Sequence, residues 1–502
     1  MKKLVLLFFT CLLFIGCTQK PKPHVHTEKE IIINPTCQEK GKLTVICEEC
    51  EEVLEEKELA IVNCEYNNQS CIWCNTTQGI QYGISNGTAY VKGMGYCTLK
   101  DIVIAESYKG KPVTKIGEKA FSYCSNIETI QLPDTIETIE KLAFELCGVK
   151  KLVIPESVTK IEKAAFYCCD KLEEIQLSAN INNIEEETFA YCRSLKEIII
   201  PEGVKKIGKS AFYMCESLIK IDLPSSLQVI ETLAFEYCTS LETIEISNGV
   251  TKLSDKLFSD CSNLRTVIIP SNVIDLGIAV FNKCVRLENI IIPDTVVNIG
   301  EGLFQDCTSL KNVSLPKNIN VLPDHLFSGC SSLETIDIPS TVNKIGQGVF
   351  YECTSLKAVT IPDEVAFIDE YAFYGCVSLS NISIPSGITV ISNSMFSRCT
   401  NLKKITIPES VVIIGDNAFL ECASLTDIVI PTSVSSIGMN AFKSCTSLKS
   451  IVIHKGVINI GAFAFQKCDN LIITCEVESK PKEWFDDWNF SNCPVIWGEN
   501  DN

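Results

Sequence analysis

The stretch that decides the fold covers residues 281–303 and reads FNKCVRLENIIIPDTVVNIGEGL. Its skeleton, F-x-x-C-x-x-L-x-x-I-x-I-P-x-x-V-x-x-I-G, recurs along most of the chain. The Phe of the skeleton marks sixteen copies, the first at Phe121 and the last at Phe465, spaced by 23 residues with one shortened step between Phe144 and Phe166. A fixed period of about 20–50 residues is typical of solenoids, in which each repeat buries its apolar face only by stacking on its neighbours. The chain is therefore predicted to be a repeat solenoid.

Each copy divides into three short segments. The L-x-x-I-x-I segment, as in Leu287, Ile290 and Ile292, alternates between faces, which predicts a short strand stacked in parallel on its equivalents. A proline follows in most copies and ends the strand, because proline has no N–H to donate. The V-x-x-I-G segment is predicted to turn the chain across the coil, and the A-F-x-x-C segment to form at most one helical turn.

The chain contains 28 cysteines, and sixteen of them follow the repeating Phe by three positions, from Cys124 to Cys468. Cysteine packs as a small buried apolar residue with a weak donor. Side chains stacked one strand spacing apart, about 4.8 Å, are too distant for an easy disulfide, which needs Cβ atoms about 3.8 Å apart. The repeated cysteines are therefore predicted to be packing residues and not a metal or redox site.

The motif L-x-x-I-x-I-P-x-x-V-x-x-I-G-x-x-A-F-x-x-C resembles the BspA-like class of bacterial-surface leucine-rich repeats, and the resemblance covers about three quarters of the chain. Residues 108–113, YKGKPV, and residues 480–498 are similar to the caps of that family. The resemblance implies a right-handed, leucine-rich-repeat-like coil with a parallel sheet of short strands on a cell surface, used in adhesion or protein binding. It leaves the ligand open.

Both ends of the solenoid need covering, because a terminal coil has no neighbour on one side. Residues 79–120 alternate around Asn86-Gly87 and are predicted to form a hairpin cap leading into the solenoid at 121–470. Residues 471–502 break the period and hold Trp484, Trp488 and Trp497. These tryptophans are interpreted as an apolar lid over the last coil, with an exposed aromatic binding site as the alternative.

The first 17 residues, MKKLVLLFFTCLLFIGC, have two lysines, a short apolar run and a small residue before Cys17. The run is too short to span a bilayer but suits a secretion signal. The pattern resembles a bacterial lipoprotein signal, which implies lipid attachment at Cys17. An ordinary cleaved signal and a retained anchor remain open. Residues 18–33 are predicted to be a tether.

Residues 34–78 form a Cys-rich segment with two C-x-x-C pairs twenty residues apart. This spacing is typical of a zinc ribbon, in which four thiolates hold one structural zinc ion. Three disulfides or reduced, empty thiols are the alternatives. The predicted zinc ligands are Cys47, Cys50, Cys71 and Cys74, with Cys37 and Cys64 as possible additional ligands.

The charge balance, 44 Lys and Arg against 62 Asp and Glu, gives a formal net charge of −18. This excess of acid argues against nucleic-acid binding, which needs clustered cations. The chain has four histidines and none of the phosphate-loop, nucleophile-elbow or HExxH motifs. The protein is therefore predicted not to be an enzyme.

The residue between the two isoleucines of each strand is expected to face outward. Ile268 and Ile291 would form an apolar spot, followed by a run of small polar residues that suits a protein loop or a glycan. The plain alternative is that such residues simply favour strands. The predicted partner-binding residues are Ile268, Asn289, Ile291, Asn312, Ser314, Asp337, Thr360, Ser383 and Thr406.

These features favour a lipid-anchored binding or adhesion protein displayed on the bacterial cell envelope, with a protein or glycan of host or neighbouring cells as partner. The alternative is a structural envelope or spacer protein whose solenoid has no ligand. Membrane contact would come only through the lipid at Cys17.

Overall fold

The computed structural model describes residues 28–33, 41–47, 53–59, 66–67, 70–71, 77, 79–95 and 99–498. The chain divides into two compact units, residues 1–75 and 76–502. The described residues include no helix long and apolar enough to cross a membrane.

The first unit contains a three-stranded antiparallel sheet, Glu28–Ile33, Gly41–Cys47 and Val53–Leu59, and a short hairpin, Tyr66–Asn67 with Ser70–Cys71. The strand Glu28–Ile33 lies within residues 18–33, where a tether is predicted. It pairs along its whole length with the second strand, Ile31 opposite Thr44. These six residues are thus part of the sheet, which corrects the end of the predicted tether.

The second unit is a β-solenoid of about 18 coils with 23-residue repeats, as predicted. Its L-x-x-I-x-I segments form a row of parallel strands, called the first row. Isolated bridges, Asp337 with Thr360 and Lys404 with Asp427, continue the row between regular strands. The strands are Asp101–Val103, Thr129–Gln131, Lys151–Val153, Glu174–Gln176, Glu197–Ile199, Lys220–Asp222, Thr243–Glu245, Thr266–Ile268, Asn289–Ile291, Asn312–Ser314, Asn381–Ser383, Lys404–Thr406, Ser450–Ile453, Ile472–Cys475 and Val495–Trp497.

The V-x-x-I segments form a second row of parallel two-residue strands, where only a turn is predicted. Each pairs in register with the equivalent residues one coil away, as Asp275 does with Asn298. The row follows Lys111–Ile116 and comprises Thr138–Ile139, Lys160–Ile161, Asn183–Ile184, Lys206–Ile207, Val229–Ile230, Lys252–Leu253, Asp275–Leu276, Asn298–Ile299, Val321–Leu322, Lys344–Ile345, Phe367–Ile368, Val390–Ile391, Ile413–Ile414, Ser436–Ile437 and Asn459–Ile460.

The A-F-x-x-C segments form the third side of each coil, and they are turns joined by bonds between coils. The backbone N–H of Phe281 donates to the carbonyl of Leu303 (3.0 Å), and that of Lys283 donates to Gln305 (2.7 Å). In all sixteen copies the residues two before and two after the Phe have positive φ, for example 54° at Ala279 and 57° at Lys283. None of these positions carries Val, Ile, Thr or Pro. β-Branched residues fit the left-handed region poorly, and the ring of proline fixes φ at a negative value.

This geometry predicts the effect of glycine at Lys283. A residue with a Cβ pays about 1–2 kcal/mol to adopt the left-handed conformation, and glycine avoids this cost. Glycine also has more conformational entropy in the unfolded chain, which offsets part of the gain. Lys283→Gly is therefore expected to raise the free energy of unfolding by about 0.5–1 kcal/mol, and Lys283→Val to lower it. Urea denaturation would measure both. As a control, Asn282→Gly, at a neighbour outside the left-handed set, is expected to destabilise the chain; equal effects at the two sites would contradict this account.

The core is a continuous stack of phenylalanine rings inside the coils. The sixteen repeat Phe side chains are fully buried. Phe281 stacks on Phe258 (5.8 Å between ring centroids, 10° between planes) and on Phe304 (5.7 Å, 7°). The prediction that the rows of Phe and Ile share one dry interior is confirmed.

The cysteine row is interior from Cys147 onward, whereas Cys124 is half-buried. Fourteen of the thiols, from Cys169 to Cys468, bond the carbonyl of the repeat Phe one coil earlier. Cys284 Sγ donates to the carbonyl of Phe258, one coil earlier, at 3.2 Å, and the same oxygen accepts the N–H of Cys261 at 3.1 Å. Burial raises the pKa of Cys399 to about 12 and that of Cys422 well above its ordinary value. The packing role predicted for these cysteines is therefore confirmed.

The two ends are capped as expected. Gln81–Ser85 and Thr88–Gly93 form the antiparallel hairpin around Asn86-Gly87, and Ser107–Tyr108 pairs with the start of Lys111–Ile116. At the other end Trp484 and Trp488 are 1% and 4% exposed. Trp484 Nε1 donates to the carbonyl of Val457 at 3.2 Å. The burial of Trp484 and Trp488 agrees with their interpretation as a lid, whereas Trp497 is half-buried.

Candidate binding surface

The outer face of the first row is the candidate binding surface, and it follows from strict alternation along each short strand. In one strand Ile290 and Ile292 are 3% and 2% exposed, whereas Ile291 between them is 73% exposed. Ile268, one coil earlier, is 52% exposed. All nine predicted contact residues lie on this face and are exposed: Ile268, Asn289, Ile291, Asn312, Ser314, Asp337, Thr360, Ser383 and Thr406.

The register of the strands brings these residues side by side. Asn289 lies opposite Asn312, and Ile291 lies opposite Ser314. The Asn312 side-chain amide donates to Asn289 Oδ1 at 2.6 Å, so the two amides are held in one orientation. Because each coil supplies one or two residues, the set forms a line across seven coils and not an enclosed pocket.

The charges of this face are concentrated at its edge. The residue that follows the repeat Leu alternates between acidic and basic along much of the solenoid. Residues of opposite charge on adjacent coils therefore form ion pairs: Lys311 Nζ lies 3.1 Å from Glu288, and Lys357 Nζ lies 2.6 Å from Glu334. At the N-terminal end Lys100 and Lys150 both bond Glu128 and lower its pKa to about 2. The edge is thus neutralised by cross-coil ion pairs. The outward positions from Ile268 to Thr406 carry apolar and short polar side chains, with Asp337 as the one charged residue among them.

A shallow groove of about 640 Å³ extends the predicted surface toward the N-terminus. Its lining includes Ile268, Thr266 and Glu245, together with Asp222, whose carboxylate bonds Lys220 at 2.9 Å. Asp222 and Glu245 occupy the outward position of their strands, so the alternation in the sequence places them on this face. Their grouping into a groove depends on the backbone and was not predicted.

The other predicted sites lie largely outside the described residues. Cys17, the predicted lipid-attachment residue, is outside them, as are Cys37, Cys50, Cys64 and Cys74. Only the backbones of Cys47 and Cys71 are described, the first at the end of a strand and the second in the short hairpin. Among the described residues no group of His, Cys, Asp or Glu is arranged to hold a metal ion.

A second surface was missed from the sequence, on the turn side of the first six repeats. Tyr167, Tyr191, Tyr213 and Tyr237 form a chain of edge-to-face contacts with ring centroids 5.2–5.8 Å apart. Burial, with neighbouring Cys168 adding to it, raises the pKa of Tyr167 to about 12. A signal was present in the sequence, because these residues fall one or two places after successive repeat phenylalanines.

The repeat region matches the model described as "BspA type Leucine rich repeat region (6 copies)" over residues 94–216, 160–288, 274–399 and 366–496. These ranges together span most of the chain. The chain belongs to the BspA-type leucine-rich repeat family. The comparison with curated proteins finds no match.

Solved structures of bacterial leucine-rich repeat proteins resemble this BspA-type chain. A leucine-rich repeat protein from Bacteroides ovatus is 26% identical with a TM-score of 0.59, and the match covers 84% of this chain and 98% of that one. A leucine rich cell surface protein from Faecalibacterium prausnitzii is 29% identical with a TM-score of 0.46, and the match covers 75% of this chain and 94% of that one. The first of these supports the solenoid fold.

Proposed function

We propose that this BspA-type protein is displayed at the bacterial cell surface and binds a protein partner through the outer face of its first row. The observation that carries the proposal is the pair of exposed isoleucines, Ile268 and Ile291, on adjacent coils of that face. Apolar side chains surrounded by polar ones are typical of the centre of a protein interface. No bond is made or broken in this role.

The scaffold lowers the cost of binding. Contact residues on successive coils are held in register by pairing of their strands, as Ser383 is by pairing with Thr406. Asn289 and Asn312 are held further by their mutual hydrogen bond. A face that is ordered before binding loses little conformational entropy on binding, which favours affinity at a given contact area.

The N-terminal segment supports anchoring of this face outside the cell. We propose that Cys17 carries lipid and that the Cys-rich module holds one structural zinc ion, on the basis of the signal-like run before Cys17 and the spacing of the two C-x-x-C pairs. Palmitate labelling of the chain with and without Cys17→Ser tests the first proposal. The zinc content of the purified protein tests the second, and a zinc-free folded chain would contradict it.

The introduction of charged residues on the face tests the binding role. The double substitution Ile268→Asp, Ile291→Asp is expected to weaken binding of the partner at least tenfold. Two apolar side chains that the partner would cover are replaced by carboxylates, which lose their hydration in the complex. The assay measures retention of the purified protein on panels of immobilised matrix proteins and of glycans. Binding to the glycan panel alone would overturn the choice of a protein partner.

The matched control is Ile458→Asp, on the second row, where the side chain is 58% exposed. It adds the same charge to an equally accessible isoleucine on another side of the coil and is expected to leave adhesion unchanged. Adhesion that is insensitive to the first-row substitutions would instead favour the spacer role, in which the sheet has no ligand.

A further inference from the structure

The turn side of the first six repeats carries a continuous band of large apolar and aromatic side chains. We call it the tyrosine strip. None of its members is buried, and Tyr123 is 71% exposed. Its residues are Tyr123, Leu146, Tyr167, Cys168, Tyr191, Tyr213, Met214 and Tyr237.

The backbone of the strip is unusual for such residues. The position two after the repeat Phe has positive φ in every coil, and in the strip it carries bulky side chains, with φ of 62° at Tyr123, 63° at Tyr191 and 61° at Tyr237. From the seventh repeat onward the same position carries Asp, Lys, Gly, Glu, Arg or Ser. Because the backbone is the same in all repeats, the turn itself does not require these large side chains in the first six, which indicates a role outside folding.

The strip already shows which chemistry it accepts. The guanidinium of Arg193 lies over the Tyr191 ring, 5.2 Å from its centroid, and bonds Asp170 at 2.9 Å and Glu216 at 3.1 Å. Among the described residues the arrangement recurs where Arg398 lies 5.6 Å over Tyr374 and bonds Glu421 at 3.2 Å. Aromatic faces bordered by carboxylates thus hold guanidinium groups in this protein.

The charges around the strip favour a basic partner. Asp170 and Glu216, close to the repeat cysteines in sequence, share Arg193, and Glu145 accepts a hydrogen bond from Ser122 at 2.7 Å. The chain as a whole carries a formal charge of −18. A segment rich in arginine would meet aromatic rings on an acidic chain, and acidic segments would be repelled.

We infer that the tyrosine strip is a second interaction surface, separate from the first-row face, and that it binds a protein segment carrying arginine side chains. Tyrosine and arginine are, with tryptophan, enriched in the energetic centres of protein interfaces. The partner's guanidinium planes would stack on the rings of Tyr213 and Tyr237. They would compete with Arg193 for the Tyr191 ring and for the carboxylates of Asp170 and Glu216.

The test uses the full chain and a fluorescein-labelled peptide of four arginines separated by glycines, with lysine and glutamate versions. Binding is measured by fluorescence anisotropy. The measurement is made at about physiological salt, which screens the non-specific attraction of a cationic peptide to an acidic protein. The arginine peptide is expected to bind more tightly than the lysine peptide, because only guanidinium stacks and bonds in a plane. Equal affinity for the two would overturn the inference, since charge alone would then explain binding.

Tyr191→Ser with Tyr237→Ser is expected to weaken binding of the arginine peptide at least fivefold. Serine suits the backbone, because Ser444 occupies the equivalent position in a later repeat with φ of 63°. Circular dichroism of the variant confirms folding. Lys283→Ser, at the same position of another repeat, is the control and should leave binding unchanged.

Two further outcomes separate this surface from others. Ile291→Asp on the first row should not alter arginine-peptide binding, so failure of one proposal leaves the other standing. If the double tyrosine variant binds the peptide normally, the inference is overturned. It is also overturned if the only effect of the variant is to abolish self-association that sedimentation detects in the native chain, because the strip would then contact another copy of the chain.

Discussion

Between about pH 8 and pH 10.5 the solenoid is expected to unfold cooperatively, because its buried thiols cannot ionise while they remain folded. A cysteine in an unfolded chain titrates near pH 8.5. Burial raises the pKa of Cys399 to about 12 and raises those of Cys376 and Cys422 well above the ordinary value. Above about pH 8.5 the unfolded chain therefore binds fewer protons than the folded one, and stability falls as the pH rises.

The expected size of this effect is large because the thiols act together. Each loses about 1.4 kcal/mol of stabilisation per pH unit between its unfolded and folded pKa. Five adjacent coils would lose about 7 kcal/mol per unit, which compares with the whole stability of a typical domain, about 5–15 kcal/mol. Tyr167 and Tyr213, whose pKa values are also raised by burial, add to the loss in the same direction at higher pH.

Urea denaturation at a series of pH values measures the slope. The comparison variant replaces three thiols, Cys284→Ala, Cys307→Ala and Cys330→Ala. It should be less stable than the native chain near neutral pH, because it loses three buried thiols and their bonds to Phe carbonyls. Above pH 9 it should lose stability more slowly, by about 4 kcal/mol per pH unit. Identical slopes for the two proteins would show that other groups cause the alkaline transition.

Phe281→Ala is expected to lower the free energy of unfolding by about 3–5 kcal/mol. The ring is fully buried and stacks on Phe258 and Phe304, so its removal leaves a cavity between two coils. In a repeat protein each coil is stabilised by its neighbours, and a weak interface divides the cooperative unit. Native-state hydrogen exchange should therefore show faster opening at the coils next to residue 281 than at either end.

The matched control for this substitution is Phe367→Ala. Phe367 lies on the outer face of the second row, is 45% exposed and contacts Lys344 through a cation–π interaction at 5.5 Å. Its removal is expected to cost less than about 1 kcal/mol. If the two substitutions destabilised the protein equally, the ring stack would not be the principal support of the coils.

Much of the architecture is readable from the repeat itself. The period predicts stacked coils, and the nearly constant spacing of Phe, Cys and Ile predicts that these side chains share one interior. Alternation within L-x-x-I-x-I places Ile290 inside and Ile291 outside, so the candidate first-row face could be named residue by residue. The end caps were also foreseeable, because the period stops where the tryptophans begin.

Other features are decided by contacts between residues 23 positions apart, about which the local sequence carries little information. The V-x-x-I segment is a strand only because Asp275 pairs with Asn298 on the next coil. The same reasoning explains why the left-handed turn positions, the thiol bond from Cys284 to Phe258 and the groove beside Ile268 were not predicted.

The sequence alone thus determined the coil, its interior and its outward residues, because burial depends on a periodicity that can be counted along the chain. The tertiary structure decided which outward residues become neighbours. The tyrosine strip illustrates this, since Tyr167 and Tyr191 occupy different repeat positions and meet only because adjacent coils stack in register. Hydrogen bonds and ring contacts between coils depend on that stacking, and no single repeat contains them.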